Sequence, residues 1–185
     1  MKIKETARKY TYADYENRDD DERYEIIDGV IYMMSPPSRA HQKIIGELYG
    51  QLWSFLKGKP CEAFVAPFGV RLNDAAGDHT IVEPDILVVC DQSKLDDRGC
   101  KGTPDMVIEI LSPSTARKDK VLKFNKYLQA GVREYWIVDP DEKALSAHVL
   151  ENGKYVTSVY TDEDNVPVHV LDGCRIYMRD VFAEL

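Results

Sequence analysis

Two acidic residues in otherwise apolar, strand-like segments are the residues best suited to chemistry. Asp85 lies in "VEPDILVV", and Glu109 lies in "DMVIEIL" between Ile108 and Ile110. An ionised carboxylate that is buried without a partner is strongly unfavourable, so each of these side chains needs a compensating cation. Carboxylates converging from neighbouring strands are typical ligands of Mg²⁺ and similar hard cations, which are completed by water and phosphate oxygens. The sequence therefore predicts a metal site made by Asp85 and Glu109.

Asp105 is the alternative to Asp85, because it also follows a proline. Asp105 and Glu109 are four residues apart on one predicted strand, which separates them by about 13 Å at the usual rise per residue. Two carboxylates at that separation do not share one ion. Asp85, on the preceding strand, can approach Glu109, and we favour it.

A phosphoryl-transfer site also needs a cation near the attacking water or the reacting phosphate. The second residue after Glu109 is the neutral Leu111, so the cation must come from elsewhere. The helix predicted in "SPSTARKDKVLKFNKYLQAG" supplies Lys123, which is long enough to reach back to the strand end. Lys120 borders the same helix face and remains the alternative.

Lys123 belongs to a stripe on that helix with Asp119 and Tyr127, each one turn away. We expect this polar stripe to flank an apolar face that packs on the sheet. The predicted apolar face consists of Val121, Phe124 and Leu128.

Turn and capping signals define the surrounding elements. Asp28-Gly29 and Asn152-Gly153 each separate two strand-like runs and predict β-hairpins with type I′ turns. A first helix is predicted between an N-cap at Ser38 and a C-cap glycine at Gly58, with an apolar stripe along it. The second helix is predicted to be capped by Ser114 or Thr115 and to end at Gly131.

Between residues 38 and 139 the predicted order is helix, strand, strand, strand, helix, strand. The three central strands are "CEAFVAPFGVRL", "TIVEPDILVVC" and "PDMVIEILS", joined by polar loops. The last strand, "REYWIVDP", must return past the second helix, so it should lie parallel to the third strand through a right-handed crossover. The sequence thus predicts a single mixed α/β domain over residues 1–185, extended by N- and C-terminal hairpins.

Composition restricts the function classes. The chain has 185 residues, of which 44% are hydrophobic and 30% charged, as in a soluble globular domain. It contains no apolar run of roughly 18–20 residues and no apolar signal region near the start, so we expect no membrane span, no secretory signal and a cytoplasmic location. The net charge of −8 counts against non-specific nucleic-acid binding.

The cysteines and histidines lack metal-binding spacing. The four cysteines show no C-x-x-C pair, and we expect them to be reduced thiols. The four histidines show no H-x-x-x-H pair, which argues against a zinc site. The cysteines are Cys61, Cys90, Cys100 and Cys174.

Several motifs together resemble one known family. "VEPDILVV", "PDMVIEILSPST", "GVREYWIVDP" and the D-x-x-x-K-x-x-x-Y spacing of residues 119–127 are similar to the restriction-endonuclease family called Uma-two, grouped with the PD-(D/E)XK nucleases. The upstream "YEIIDGVIYMMSPPSRAHQKIIGEL" fits the same family, so the resemblance covers roughly residues 22–150. It implies a restriction-endonuclease-like core and a Mg²⁺- or Mn²⁺-dependent endonuclease that hydrolyses phosphodiester bonds in DNA.

The resemblance also implies roles for individual residues. Asp85 and Glu109 would be metal ligands, with the Ile110 carbonyl as a third. The lysine of the superfamily's E-x-K motif is replaced by Leu111, and the resemblance places its substitute at Lys123.

Two further positions match the family. Glu25 would supply another carboxylate, and His41 would line the pocket or contact phosphate. Both are secondary members of the predicted site, after Asp85, Glu109 and Lys123.

The same observations leave a second function open. The acidic total charge and the absent E-x-K lysine also fit a nuclease fold that no longer cuts and serves as a binding or assembly module. An acidic domain without a nucleic-acid role is a third reading. A homodimer is a further expectation, and the N-terminal aromatic residues would pack on the domain itself or on a second copy. These residues are Tyr10, Tyr12 and Tyr15.

Overall fold

The structure is a computed structural model that describes residues 8–17, 23–72, 79–113, 116–183 and 185. Four α-helices and fourteen strands alternate along these residues. In chain order they are α1 (Tyr12–Glu16), β1 (Tyr24–Ile27), β2 (Val30–Met33), α2 (Arg39–Leu56), β3 (Glu62–Val65), β4 (Gly69–Arg71), β5 (Ile81–Val82), β6 (Ile86–Val89), β7 (Leu95–Asp96), β8 (Gly99–Lys101), β9 (Met106–Ile110), α3 (Phe124–Ala130), β10 (Glu134–Asp139), β11 (Ala144–Glu151), β12 (Lys154–Thr161), β13 (Asn165–Pro167), β14 (Arg175–Tyr177) and α4 (Met178–Val181).

Two six-stranded sheets organise the chain. The main sheet has the order β12-β11-β10-β9-β6-β3, and the side sheet has the order β2-β1-β5-β4-β8-β7. Within the main sheet β10 runs parallel to β9, and β3, β6, β11 and β12 join by antiparallel pairing. The predicted order of helix, three strands, helix and returning parallel strand is confirmed in the main sheet.

The extent of two predicted strands is wrong, because each is divided between the two sheets. The first leaves the main sheet after β3, passes a cis Ala66–Pro67 bond and continues as β4 in the side sheet. The second begins as β5 in the side sheet and enters the main sheet as β6 after Pro84. A proline cannot donate a hydrogen bond to a strand ladder, so these two prolines lie at the crossings.

A segment predicted as a polar loop also forms structure. Residues 91–103 contain β7 and β8, and β8 pairs in parallel with β4 at Val70 and Cys100. Both strands have three residues or fewer, too short for periodicity to reveal them.

Helix α2 covers one face of the main sheet with an apolar stripe. Ser38 caps it as predicted, since its hydroxyl accepts a hydrogen bond from the His41 N–H at 3.2 Å. Gly58, at φ +73°, lies just beyond the helix end, where a left-handed residue commonly follows a helix. The buried side chains of the helix are Ile44, Ile45, Leu48, Leu52 and Leu56. This burial supplies much of the core on that face of the sheet.

The second predicted helix begins with a π-helical turn. Residues Lys118–Lys123 form this turn, and α3 continues from it to Gly131, whose φ of +82° confirms the predicted helix end. In an α-helix, residues five apart point about 140° away from each other, whereas a turn bonded from i to i+5 brings them to one side. The predicted caps Ser114 and Thr115 lie outside the described residues.

The buried face of this helix differs in part from the predicted one. Phe124 packs on the core as predicted, but Val121 is 56% exposed. Asp119, Lys123 and Tyr127 are buried, and the polar stripe can turn inward because its charges and hydroxyl meet partners on the sheets. The prediction is therefore wrong for Val121 and for the stripe as a mere flank of the buried face.

The prediction of four reduced cysteines is wrong for two of them. Cys61 and Cys90 form a disulfide, whereas Cys100 and Cys174 are buried free thiols. The pairing follows from strand register: Glu62 of β3 lies opposite Val89 of β6, so Cys61 and Cys90 are the next facing pair. Strand register of this kind is a long-range property that cysteine spacing does not reveal.

The N-terminal tyrosines pack on their own chain. Tyr15 is buried in a cluster with Tyr24, Ile26 and Ile81, and the rings of Tyr15 and Tyr24 meet edge to face at 6.0 Å. Of the two predicted packing partners, the domain itself is the one present.

Candidate active site

Asp85 and Glu109 meet where neighbouring strands β6 and β9 leave the main sheet core. Asp85 immediately precedes β6, and the antiparallel register places Ile86 opposite Ile108. The Ile110 N–H donates to Asp85 Oδ2 at 2.7 Å. Both carboxylates line one cleft of about 530 Å³. The structure therefore brings the two predicted acids together, with the Ile110 backbone between them.

Lys123 reaches these acids from the π-helical turn. Its Nζ lies 2.7 Å from Glu109 Oε1, 2.6 Å from Glu25 Oε1 and 3.7 Å from Asp119 Oδ1. The side chain is only 2% exposed. Burial alone lowers the pKa of an ammonium group, but the surrounding carboxylates outweigh it and hold the pKa of Lys123 well above its ordinary value. A cation thus lies beside Glu109 although the neighbouring strand position is Leu111.

Glu25 holds two lysines at once. Its Oε2 accepts from Lys118 Nζ at 2.5 Å, while Oε1 binds Lys123 and also accepts the Glu83 N–H at 3.0 Å. Burial acts to raise the pKa of Glu25, but the charges of Lys123 and Lys118 prevail and lower it. Both oxygens are engaged by these contacts, so Glu25 orients the lysines. Glu25 thus supplies a further carboxylate to the predicted site, where its contacts are with the lysines.

The surroundings of Glu109 disfavour the ionised form of its side chain. It accepts two hydrogen bonds, from Lys123 and from the Tyr127 hydroxyl, both at 2.7 Å and both on Oε1. Burial raises its pKa, the charge of Lys123 opposes the rise, and the nearby Asp119, Asp85 and Glu25 add to it. The net pKa of Glu109 lies well above the ordinary value. A positive charge in the cleft would favour the ionised form.

His41 closes the Asp85 side of the site. Its Nε2 lies 3.2 Å from Asp85 Oδ2, and the imidazole lines the same cleft. Nδ1 is buried and makes no hydrogen bond within the described part of the chain. Burial acts to lower the pKa of His41, but the hydrogen bond and charge of Asp85 outweigh it and raise the pKa.

The two rival residues lie outside this cluster. Lys120 is about half exposed and pairs with Asp139 at 3.4 Å on the rim of the cleft. Asp105 accepts the Cys90 N–H at 2.8 Å and pairs with Arg133 at 3.1 Å. Neither is among the residues that contact Glu109 or Asp85, so the geometry favours Lys123 and Asp85.

Residues 10–179 match the model of the Uma2 family, which is described as "Putative restriction endonuclease". The chain belongs to the Uma2 family. This confirms the resemblance drawn from the motifs, and the match extends well beyond the predicted core on both sides.

Two relatives of the chain are found in Synechocystis. The chain is 26% identical to the uncharacterized protein slr1290 of Synechocystis over 84% of this chain and 80% of that protein. A second uncharacterized Synechocystis protein, sll1609, is 26% identical over 75% of this chain and 80% of its own length.

A solved structure shows the fold. The crystal structure of a putative nuclease of DUF820 from Anabaena variabilis superposes with a TM-score of 0.76, at 22% identity, over 94% of this chain and 97% of that one. The fold is therefore restriction-endonuclease-like, as predicted. Family and fold together support a nuclease. Among the described helices, none is long and apolar enough to cross a membrane.

Two residues of the candidate site were given no site role from the sequence. Lys118 lies five residues before Lys123 and reaches the site only through the π-helical turn. Glu83 is 1% exposed; it accepts from the Tyr15 hydroxyl at 2.5 Å and from Arg23 at 2.8 Å. The available signal for Glu83 was its position two residues before Asp85 in "VEPD".

The donor set fits a hard divalent cation. Nowhere in the described ranges do three His, Cys, Asp or Glu side chains group as a ready metal site. Mg²⁺, however, is commonly held by one or two carboxylates with water and phosphate oxygens completing the shell. Asp85 and Glu109 supply two carboxylates, and the neighbouring Ile110 supplies a backbone carbonyl. Four carboxyl groups and two lysines make up this cluster: Glu25, Asp85, Glu109 and Asp119 with Lys118 and Lys123.

Proposed function

We propose that this Uma2 protein is a Mg²⁺- or Mn²⁺-dependent endonuclease that hydrolyses phosphodiester bonds in DNA and acts in the cytoplasm. The observation that carries the proposal is the convergence of Asp85 and Glu109 on one cleft, with the Lys123 ammonium 2.7 Å from Glu109. Two acids and a lysine in one cleft form the minimal set for metal-assisted phosphodiester hydrolysis.

Asp85, Glu109 and the Ile110 carbonyl would hold the ion. When bound, it would supply Lewis-acid activation of a water and of the scissile phosphate. Glu109 is suited to this role because Tyr127 and Lys123 both bind its Oε1, which fixes the carboxylate and leaves Oε2 outside these contacts.

Lys123 would orient the attacking water or stabilise the negative charge that develops on the phosphate. Glu25 fixes the lysine for this task from the side sheet. His41 holds Asp85 through Nε2 and thereby positions that carboxylate. These roles use contacts that hold each group before any substrate arrives.

The basic side chains of the cleft offer contacts to a polyanionic substrate despite the net charge of −8. They stand among six acidic side chains (Glu83, Asp85, Glu109, Asp119, Asp139 and Asp141), so phosphate binding would rest on the individual lysine and arginine groups together with the bound cation. The basic side chains that line the cleft are Arg23, Lys118, Lys120 and Lys123.

The test is cleavage of duplex and single-stranded DNA with Mg²⁺ or Mn²⁺, using wild type, Asp85→Asn and Glu109→Gln. We expect each variant to lose about 100-fold or more in rate, the size of effect seen when one transition-state-stabilising group is removed. Glu134→Gln is the matched control, because Glu134 is buried on the adjacent strand outside the cleft. Unchanged cleavage by Asp85→Asn or Glu109→Gln would sink the proposal.

A second candidate is a catalytically inactive nuclease fold that serves as a binding or assembly module. It is favoured by the Lys123 ammonium being surrounded by three carboxylates and by His41 lying on Asp85. Calorimetric titration with Mg²⁺ and Mn²⁺ separates the two candidates. No binding at millimolar metal would favour the module, and binding lost in Glu109→Gln would favour the nuclease.

A further inference from the structure

β12 forms the outer edge of the main sheet, and only alternate residues of β12 pair their backbone groups with β11. β12 pairs with β11 through the Asn152–Gly153 turn, where φ is +49° and +77°, and Glu151 lies opposite Lys154. The residues that flank a two-residue hairpin turn form a hydrogen-bonded pair, and such pairs alternate along an antiparallel ladder. The odd-numbered residues of β12 therefore direct their N–H and C=O groups away from β11.

Thr161 confirms this phase. Its N–H donates to Asp164 Oδ2 at 2.7 Å, and its C=O accepts the Asp164 N–H at 3.3 Å, so neither group is used by β11. The turn at Asp164 thereby closes the edge at Thr161. Three residues retain outward backbone groups with no hydrogen bond to any other described residue: Tyr155, Thr157 and Val159.

This edge also lacks the protection found at the other sheet edges. Residues 155–161 contain no charged residue, no proline and no glycine, and Val159 is 68% exposed. Proteins usually shorten or charge their edge strands to prevent pairing with another chain. β2 and β3 have four residues each and β7 has two, whereas β12 has eight. A long edge of strand-forming residues without charge between residues 155 and 161 is suited to pairing with a partner strand.

We propose that β12 pairs antiparallel with β12 of a second copy of this chain, about a two-fold axis at Thr157. When a two-fold axis is normal to a continuous sheet, residues that face each other across the axis have their side chains on the same side of the sheet. Odd-numbered residues of one copy therefore pair with odd-numbered residues of the other. Centring on Thr157 places Tyr155 opposite Val159 of the second copy and Thr157 opposite its own counterpart. This register is the one that uses all three outward residues.

The side chains suit this register. Aromatic residues opposite β-branched residues, and threonine opposite threonine, are favourable cross-strand pairs. Tyr155 is half-buried and already packs on Phe124 at a ring separation of 5.3 Å, so Val159 of the second copy would extend an existing apolar cluster. The uncharged strand brings no like charges together at the axis, which makes a second copy a better fit than a charged partner.

Sedimentation of the full chain over a wide concentration range tests the proposal. We expect wild type to form a dimer, and Val159→Lys and Val159→Pro to weaken dimerisation by about tenfold or more, because the first places charge at the edge and the second removes an outward N–H. Val30→Lys is the matched control, since Val30 is 53% exposed on the edge strand β2. Far-ultraviolet circular dichroism checks that each variant is folded.

Oxidative crosslinking tests the register. Thr157→Cys should give a covalent dimer, whereas Ser158→Cys, which faces Val156 of the second copy, should give little. Cys100 and Cys174 are buried and contribute little background. A wild-type chain that is monomeric at every concentration, or Val159 variants that remain dimeric, would overturn the proposal. Neither measurement depends on nuclease activity.

Discussion

Glu109 and Glu134 lie on the neighbouring parallel strands β9 and β10, and both are buried, yet their surroundings differ. Glu109 faces the cleft and is bound by Lys123 and Tyr127. Glu134 accepts from Trp136 Nε1 at 2.8 Å and from the Val170 N–H at 2.9 Å, with the His169 N–H beside them. Burial is the leading cause of a raised pKa in both. Burial alone therefore does not distinguish a reactive carboxylate from a structural one.

The difference lies in what compensates each charge. Glu134 accepts the Trp136 side chain on Oε1 and the Val170 backbone on Oε2, so it fastens the C-terminal segment to the main sheet. Glu109 instead shares one lysine with two other acids and lines the cleft. A neighbouring lysine and a position on the cleft mark Glu109 as the candidate for chemistry.

The largest expected effect is on stability and comes from Lys123→Met. Removing one partner of a buried ion pair costs about 3–5 kcal/mol, because the remaining charges are left without compensation. Here Glu25 and Glu109 would lose their shared cation. Urea denaturation of Lys123→Met should show this loss, and adding Glu109→Gln should recover part of it. If Lys123→Met were as stable as wild type, the Lys123 charge would not compensate Glu109, and the contrast with Glu134 would fail.

The next effect concerns the structural acid. Glu134→Ala leaves the Trp136 and Val170 N–H groups without their acceptor, which should cost about 1–3 kcal/mol in unfolding free energy. Glu134→Gln keeps one acceptor oxygen and should cost less. Because Glu134 lies outside the cleft, DNA cleavage should stay within a few-fold of wild type in Glu134→Gln. A cleavage loss as large as that of Glu109→Gln would contradict the structural role.

The pH dependence of stability sharpens the same comparison. Burial raises the pKa of Glu134 in the folded chain above 4.5, so its protonated form favours folding. That contribution is fully present below pH 4.5 and is lost as the pH rises through the folded-state pKa. The unfolding free energy of wild type minus that of Glu134→Gln should therefore fall as the pH rises across this window. A flat difference would show that Glu134 titrates normally.

The smallest effect should come from two tyrosines. Tyr127→Phe removes a hydrogen bond to Glu109, and Tyr135→Phe removes one to the Asp119 carbonyl at 3.1 Å. Each should cost about 1 kcal/mol in unfolding free energy. Cleavage should fall several-fold only in Tyr127→Phe, because only that hydroxyl fixes a proposed metal ligand. Equal cleavage losses in the two variants would mean that packing, and not the contact with Glu109, matters.

The sequence predicted local features of the fold better than long-range ones. The cap at Ser38, the glycine end at Gly131 and both hairpin turns depend on nearby residues, and the structure confirms them. The division of strands between two sheets and the Cys61–Cys90 pairing depend on contacts between distant segments. The single-domain organisation stays a prediction.

The candidate site was predictable to a similar degree. Asp85 and Glu109 stood out as acids in apolar strands, and the family resemblance indicated Lys123. The contact of Lys118 with Glu25 could not be foreseen, because helix periodicity of 3.6 places Lys118 and Lys123 on different sides. Asp119 lies four residues before Lys123, so its place beside that lysine was within reach of helix periodicity. The roles assigned to these residues stay predictions until the variants are measured.

The π-helical turn at Lys118–Lys123 lets two different spacings serve one site. Asp119 lies four residues before Lys123, as in the family motif, and Lys118 lies five residues before it, yet both reach the same cluster. A change that restored an ordinary α-helix over this segment would keep Asp119 beside Lys123 and turn Lys118 away from Glu25.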